Sequence, residues 1–477
     1  MHATAPRVAR PARTGNSAAA MRMSKLIAPD LVRVLEEDPS QLGEALQEVH
    51  PQDVADVLTE LDRDIAVQVM RTLPATSAAD VMERLPDDLQ VHVIEAMDAR
   101  HSAAVVTEMD ADDRVDLVQD LPKTVRERVM EEVEQAEPGV AEDVRVLASY
   151  AEDTAGGLMT TEYLALWPEL TVGEAIAELR TSSRERDLET VYYIYVVAYD
   201  RLVGVLSLRD LILGEPDQTL SSVMTDQVVS VPASMDQEEV AMQIAKYDLS
   251  AMPVVDDAGQ MLGVVTVDDV VDVVMEEATE DAHMMAAVMP IEESYLNTSF
   301  LSLVRSRATW LVVLFVGELL TANVMHVYEA QLAAVLDLVI FIPLIISSGG
   351  NSGAQSSSLI IRALALGELS PGDWPRVMLR EFSMGLTLGL MLGGVGFVRA
   401  LYGGGLDDPM QMGMTVSAAI VAVVTLGTLV GSMMPLMIER LGGDPAVSSS
   451  PFVASLVDVL GLVLYFTIAR VVFATVL

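Results

Sequence analysis

The spacing of apolar and polar positions changes twice along this chain and divides it into three. Between residues 50 and 125, apolar clusters at helical spacing recur every twelve residues, marked by Leu61-Asp62, Leu73-Pro74, Leu85-Pro86, Met97-Asp98, Met109-Asp110 and Leu121-Pro122. Each unit reads as one short helix opened by Asp or Pro, which suit a cap or first turn. Such units bury their apolar stripes only by stacking, which predicts an acidic α-superhelix over 26–150. From 156 to 275 the pattern becomes βαβ, in two copies. Each copy opens on a Met-Thr pair (Met159-Thr160, Met224-Thr225), then has an amphipathic helix (172–179, 238–247) and an apolar strand (194–197, 253–255). They close on Gly204-Val205-Leu206-Ser207-Leu208-Arg209-Asp210 and Gly263-Val264-Val265-Thr266-Val267-Asp268-Asp269. A paired α/β module over 151–275 is expected. The last third holds five apolar runs, 308–327, 331–361, 377–401, 412–438 and 450–476, each long enough to cross a lipid bilayer. The chain therefore reads as multidomain: α-superhelix, α/β pair, and an all-α transmembrane domain of five helices over 306–477.

Two interruptions of the apolar runs point to function. The second run contains the polar, glycine-rich stretch Ser347–Ser358. Such a stretch can break a helix where backbone lines protein or water or form a small-residue packing seam, and Asn351 and Gln355 favour a wet surface. In the fifth run, Asp458 is expected to be the single mid-segment carboxylate; a charge there is costly and by default functional. One carboxylate per chain is thin for a divalent ion, so a homodimer is expected, with Asp458 of each copy facing a shared path. Arg305, Arg307, Arg362, Arg376, Arg380 and Arg440 flank the runs on one side, against Arg399 and Arg470 on the other. The positive-inside rule then places the first 300 residues in the cytoplasm and the C-terminus outside, in a multi-pass protein of the cell (inner) membrane.

Charge sharpens this picture. Of the net −41, only −3 falls in residues 301–477 (11 Asp/Glu, 8 Arg); the first 300 residues hold 59 Asp/Glu against 21 Lys/Arg. Such a field repels nucleic acid and attracts cations. With no cysteine and six scattered histidines, soft-metal chemistry is poorly supplied, while oxygen ligands for a hard cation abound. Asp268, Asp269, Asp272, Glu276, Glu277, Glu280 and Asp281 crowd one helix at spacings that place like charges together, which favours a cation site. The first 25 residues, with four Arg among Ala, Pro and Ser, read as a disordered tail. No nucleophile–base pair or cofactor loop emerges, so an enzyme is not expected.

The closing motif of the α/β copies resembles cystathionine-β-synthase (CBS) domains, and the pair resembles a Bateman module. That resemblance implies an adenosine nucleotide such as ATP, held at Ser207, Arg209, Asp210, Thr266 and Asp269, since a carboxylate accepts both ribose hydroxyls; Tyr193 or Tyr195 would carry the adenine. A nucleotide-free, dimerising spacer is the open alternative.

The whole order (superhelix, CBS pair, acidic connecting helix over 276–305, five spans) resembles the MgtE family of magnesium channels. The most specific segments are Gly349-Gly350-Asn351-Ser352-Gly353-Ala354-Gln355-Ser356, Gly443-Asp444-Pro445-Ala446 and Pro451–Gly461. The resemblance implies that Asp458 holds a hydrated Mg2+ in a homodimer's pore, lined also by Asn351, Gln355 and Ser450, with Asp444 in the loop before the fifth span. It further implies that cytosolic Mg2+ bound at Glu238, Asp248, Asp269, Asp272, Glu277 and Glu280, with Asp112 and Asp116 from the superhelix, closes a channel carrying Mg2+ into the cytoplasm. Ser450 departs from the family's frequent Asn, which bears on selectivity at the cytoplasmic mouth. Competing readings are a channel or carrier for Co2+ or Mn2+, and a membrane-anchored CBS nucleotide sensor.

Overall fold

The twelve-residue period is the rhythm of the helix starts. In the computed structural model, which describes residues 46, 49–185, 191–291, 295, 298–329, 335, 337–402 and 408–473, eight helices follow one another. They are α1 (Pro51–Glu60), α2 (Arg63–Met70), α3 (Ala75–Met82), α4 (Asp87–Ala96), α5 (Ala99–Glu108), α6 (Ala111–Asp120), α7 (Lys123–Ala136) and α8 (Pro138–Leu147). The Asp62 side chain accepts from the Asp64 N–H and that of Asp98 from the His101 N–H, each capping its helix. Pro74, Pro86 and Pro122 precede α3, α4 and α7. The apolar partners of the marker pairs pack inward: Leu85, Met97, Met109 and Leu121 are buried, and Leu61 and Leu73 are half-buried against the same core. Each helix packs on the next but one, α1 on α3 through α6 on α8, so the repeat stacks as a superhelix. The tail expected over 1–25 lies outside the described residues.

The two α/β copies have one plan. The first comprises α9 (Ala155–Leu158), β1 (Ala165–Leu166), α10 (Val172–Glu185), β2 (Tyr193–Ala198), β3 (Arg201–Ser207) and α11 (Leu208–Leu213). The second comprises α12 (Leu220–Val223), β4 (Val231–Pro232), α13 (Gln237–Tyr247), β5 (Ala251–Val255), β6 (Met261–Thr266) and α14 (Val267–Met285). In each, a short strand pairs in parallel with the central one, which pairs antiparallel with the third. The register shifts at the same place in both, Val196/Val197 and Val254/Val255. The copies interlock: the Thr160 N–H donates to the Val264 carbonyl and the Thr225 N–H to that of Val205. The superhelix shares one core with the second copy, while the first copy's sheet, α10 and α11 pack around a core of their own.

The chain forms two compact units, one ending at Glu277 and the next starting at Ala278. The acidic helix α14 begins directly after β6 and ends at Met285, and the next helix starts at Phe300. The connecting helix expected over 276–305 is therefore longer upstream and shorter downstream.

Among the described residues, five helices are long and apolar enough to cross a membrane: α15 (Phe300–Val327), α16 (Asp337–Ala365), α17 (Trp374–Tyr402), α18 (Pro409–Arg440) and α19 (Ser450–Val472). The second run is not broken: α16 is continuous through Ser347–Ser358. Its glycines serve close approach instead. A Cβ on Gly427 would lie 2.3 Å from the Gly349 carbonyl oxygen, and one on Gly431 2.1 Å from that of Gly353. With no side chains between them, α16 and α18 meet backbone to backbone, as small residues permit in membranes.

Candidate ion path and regulatory sites

A helix turns 100° per residue, so the polar stretch of α16 distributes its side chains around the axis. Ser352, Ser356 and Ser357 are buried; Asn351 and Gln355, four apart and hence on one face, are exposed. The buried face is pinned. Ser357 Oγ donates to the Ser448 carbonyl at 2.8 Å, and Ser356 Oγ donates to Glu381 Oε2 of α17 at 2.7 Å. The open face continues onto α19, where Ser358 Oγ and Ser450 Oγ are 3.4 Å apart. Gln355, Ser358 and Ser450 line an open cleft of about 460 Å³.

Asp458 sits two turns into α19, half-buried. Its Oδ1 lies 3.7 Å from the point where a side chain on Gly350 would begin, which places the carboxylate next to the residue preceding Asn351. Among the described residues, no Lys, Arg or His forms an ion pair with it. Asp444 precedes the short turn Pro445–Val447, accepting from the Ala446 N–H at 2.7 Å, and Ser449 accepts from the Phe452 N–H to open α19.

Asp458 is not the single mid-span carboxylate that was expected. Glu318 lies well inside α15, near enough to Asp458 for the two charges to interact, and Glu381 lies two turns into α17. Both sit within long apolar runs of those spans. Counting isolated acids in the spans would have found them.

The expected regulatory carboxylates belong to three helices, α6, α13 and α14. Glu238 is in the first turn of α13, Asp248 caps its end in a left-handed conformation (φ 52°), and Asp269, Asp272, Glu277 and Glu280 follow along α14. Glu277 accepts from the Gln237 side chain at 2.6 Å, tying α14 to α13. Asp116 is half-buried on α6 and Asp112, one turn earlier, is buried at 3% exposure. Among the described residues, the carboxylates gathered within 4.8 Å as a triple are Glu83, Asp110 and Asp113, which the sequence reading had not selected. Burial first, then the charges of Asp110 and Asp113, pushes the Glu83 carboxyl up to about 8.

The nucleotide motif is a helix cap in both copies. Ser207 Oγ donates to Asp210 Oδ2 at 2.6 Å while accepting from the Asp210 N–H, a capping box at the start of α11. Thr266 Oγ1 donates to Asp269 Oδ2 at 2.5 Å at the start of α14. Beside the first cap, Tyr192, Tyr193, Ser207, Arg209, Ile212 and Ser250 line an open cleft of about 730 Å³. Tyr195 does not reach it: the ring is 1% exposed and packs edge-on against Tyr163. It therefore presents no face for a base, and Tyr193 remains, joined by the exposed Tyr192.

Comparison with known proteins covers nearly all of this architecture. Residues 342–468 match the family described as divalent cation transporter, residues 49–153 the MgtE intracellular N domain, and residues 155–214 and 220–276 the CBS domain. The chain is 39% identical to the magnesium transporter MgtE of Thermus thermophilus over 450 residues, 94% of this chain and 99% of the relative. It is 35% identical to that of Enterococcus faecalis over 69% of this chain and 71% of the relative. A solved structure, the cytosolic domain of the Mg2+ channel MgtE in complex with ATP, is 39% identical and covers 52% of this chain and 99% of its own, with a TM-score of 0.49.

Proposed function

The chain belongs to the MgtE family of magnesium transporters, and from that premise we propose that it conducts Mg2+ into the cytoplasm through a path shared by two copies. The observation that carries this reading is the open polar face of α16, with Asn351 and Gln355 exposed and Asp458 beside Gly350. Mg2+ gives up its waters reluctantly. A path that recognises the hydrated ion needs hydrogen-bonding groups and charge at a distance, without a tight cage. Amide and hydroxyl groups meet the waters, and one Asp458 from each copy supplies the two negative charges that balance the ion. Transport follows the electrochemical gradient, and no covalent step is needed.

Regulation follows from the carboxylates on α13 and α14, with those of α6. At low cytosolic Mg2+ their like charges repel and the path is open. At high Mg2+, ions bridging them favour a compact, closed state, because a ligand shifts an equilibrium only towards the state it binds better. The donors are all oxygen and suit Mg2+. The cleft at Tyr192, Tyr193 and Arg209 supports adenylate binding, with Asp210 released from its cap to take ribose hydroxyls. In this arrangement the acidic units are cytoplasmic and the fifth span ends outside.

The chain has no cysteine, so Asp458→Cys places a single thiol at the centre of the proposed path. In reconstituted protein it should react with a small water-soluble thiol reagent, and added Mg2+ should slow the reaction. A thiol that stays inert to that reagent while reacting with a lipid-soluble one would put position 458 outside any aqueous path.

A further inference from the structure

The seam between α16 and α18 leaves one geometric question open. Glycines let the two helices approach, and Val423 of α18 rests on Gly349. Where Gly431 meets the Gly353 carbonyl, though, no side chain stands between the helices to resist rotation, and Ser357 pins α16 only to Ser448. Rotation matters here because Gln355 and Ser356 are neighbours 100° apart. A turn of that size would bring the serine row to the open face and withdraw the amides. Directional hydrogen bonds supply the missing stop, and Glu381 is placed to make one. It receives the Ser356 hydroxyl at 2.7 Å, and its backbone carbonyl lies 3.3 Å from Thr428 Oγ1 of α18, whose shorter bond, 2.9 Å, goes to the Thr425 carbonyl. One turn further along α17, a Cβ on Gly385 would meet Thr428 Oγ1 at 2.2 Å, so the glycine lets α17 close onto α18 at this level. Glu381 thus stands where α16, α17 and α18 meet, behind the open face and off the proposed path.

We propose that Glu381 is a positioning residue for ion selection: by holding Ser356 from behind, it fixes the rotation of α16 that keeps Asn351 and Gln355 turned to the path. This rests on the reading of that face as the ion path. The essential element is the acceptor oxygen, which fixes direction, and not the charge. A glutamine, which keeps a carbonyl acceptor in the same place, should serve; a leucine should not, because it leaves the buried Ser356 hydroxyl without a partner.

The test is the ratio of Mg2+ to Mn2+ influx in liposomes for Glu381→Leu, Glu381→Gln, Ser356→Ala and the double variant Glu381→Leu/Ser356→Ala. Glu381→Leu and Ser356→Ala should each lower the ratio by about tenfold, the scale of a buried hydrogen bond to a carboxyl group. The double variant should be no worse than either, as members of one contact are not additive. Glu381→Gln should stay within about twofold of the parent. A parental ratio in well-folded Glu381→Leu overturns the proposal, as does a Glu381→Gln variant as impaired as the leucine. Should the leucine fail to fold, Ser356→Ala decides alone, and a parental ratio there is equally contrary. Failure of the underlying path is read separately: Asn351→Ala and Gln355→Ala would then leave both flux and ratio unchanged.

Discussion

Glu83 is a residue whose behaviour follows from its setting, burial first and then the charges of Asp110 and Asp113. Its side chain is 8% exposed, with Asp110 and Asp113 at hand. The carboxyl is pushed from 4.5 up to about 8, so between those values the folded state holds a proton that the unfolded chain has lost. Stability must then fall as pH rises through that window, by at most about 1.4 kcal/mol per pH unit. Glu83→Gln should flatten this slope and protect α3 and α6 at pH 8. Amide hydrogen exchange of those helices at pH 6 and 8, corrected for intrinsic rates, measures it; equal pH responses in parent and variant would contradict the account. At this scale an acid among apolar neighbours could be read at Asp458, while the same clash at Glu318 and Glu381 was passed over. The burial of Tyr195 was not legible, because alternation assigns one side of a strand to solvent only when one face is free. β2 is the central strand, and Ile194, Tyr195 and Val196 are all buried.

Among the elements, helix caps and the tandem α/β copies could be read before folding because each is local: a twelve-residue period and a repeated motif sit within one short stretch. The continuity of α16 could not. Glycine and serine lower helix propensity in isolation, and only the facing glycines of α18 turn that weakness into a close contact. The same contact separates two otherwise equal substitutions. Gly431→Ala would drive a methyl to 2.1 Å from the Gly353 carbonyl oxygen, whereas Gly394→Ala meets nothing within 4 Å. The first should lower thermal stability in detergent by several kcal/mol or abolish assembly, and the second should leave it unchanged or raised by about 0.5–1 kcal/mol. Thermal unfolding of both variants checks this, and equal tolerance at the two sites would mean that α16 and α18 do not meet as described.

The whole molecule joins an acidic cytosolic portion to a sparingly charged membrane portion, and the proposed regulation belongs to that scale. Asp272→Asn or Glu280→Gln should raise the Mg2+ concentration that half-closes the channel, by about tenfold if each removes one bridging ligand; currents from patches bathed in graded Mg2+ would reveal unchanged closure if the assignment were wrong. Domain order was legible from charge and hydropathy. The meeting of Glu83 with Asp110 and Asp113 was not, since side chains from distant repeats come together only in the fold.

The central claim is that Asp458 faces a path for hydrated Mg2+, and influx of Mg2+ into liposomes holding a fluorescent indicator tests it most directly. The parent should carry Mg2+ at a rate well above empty vesicles, and Asp458→Asn, similar in size but uncharged, should lower that rate at least about tenfold. Parental influx through a correctly assembled Asp458→Asn protein would contradict the account.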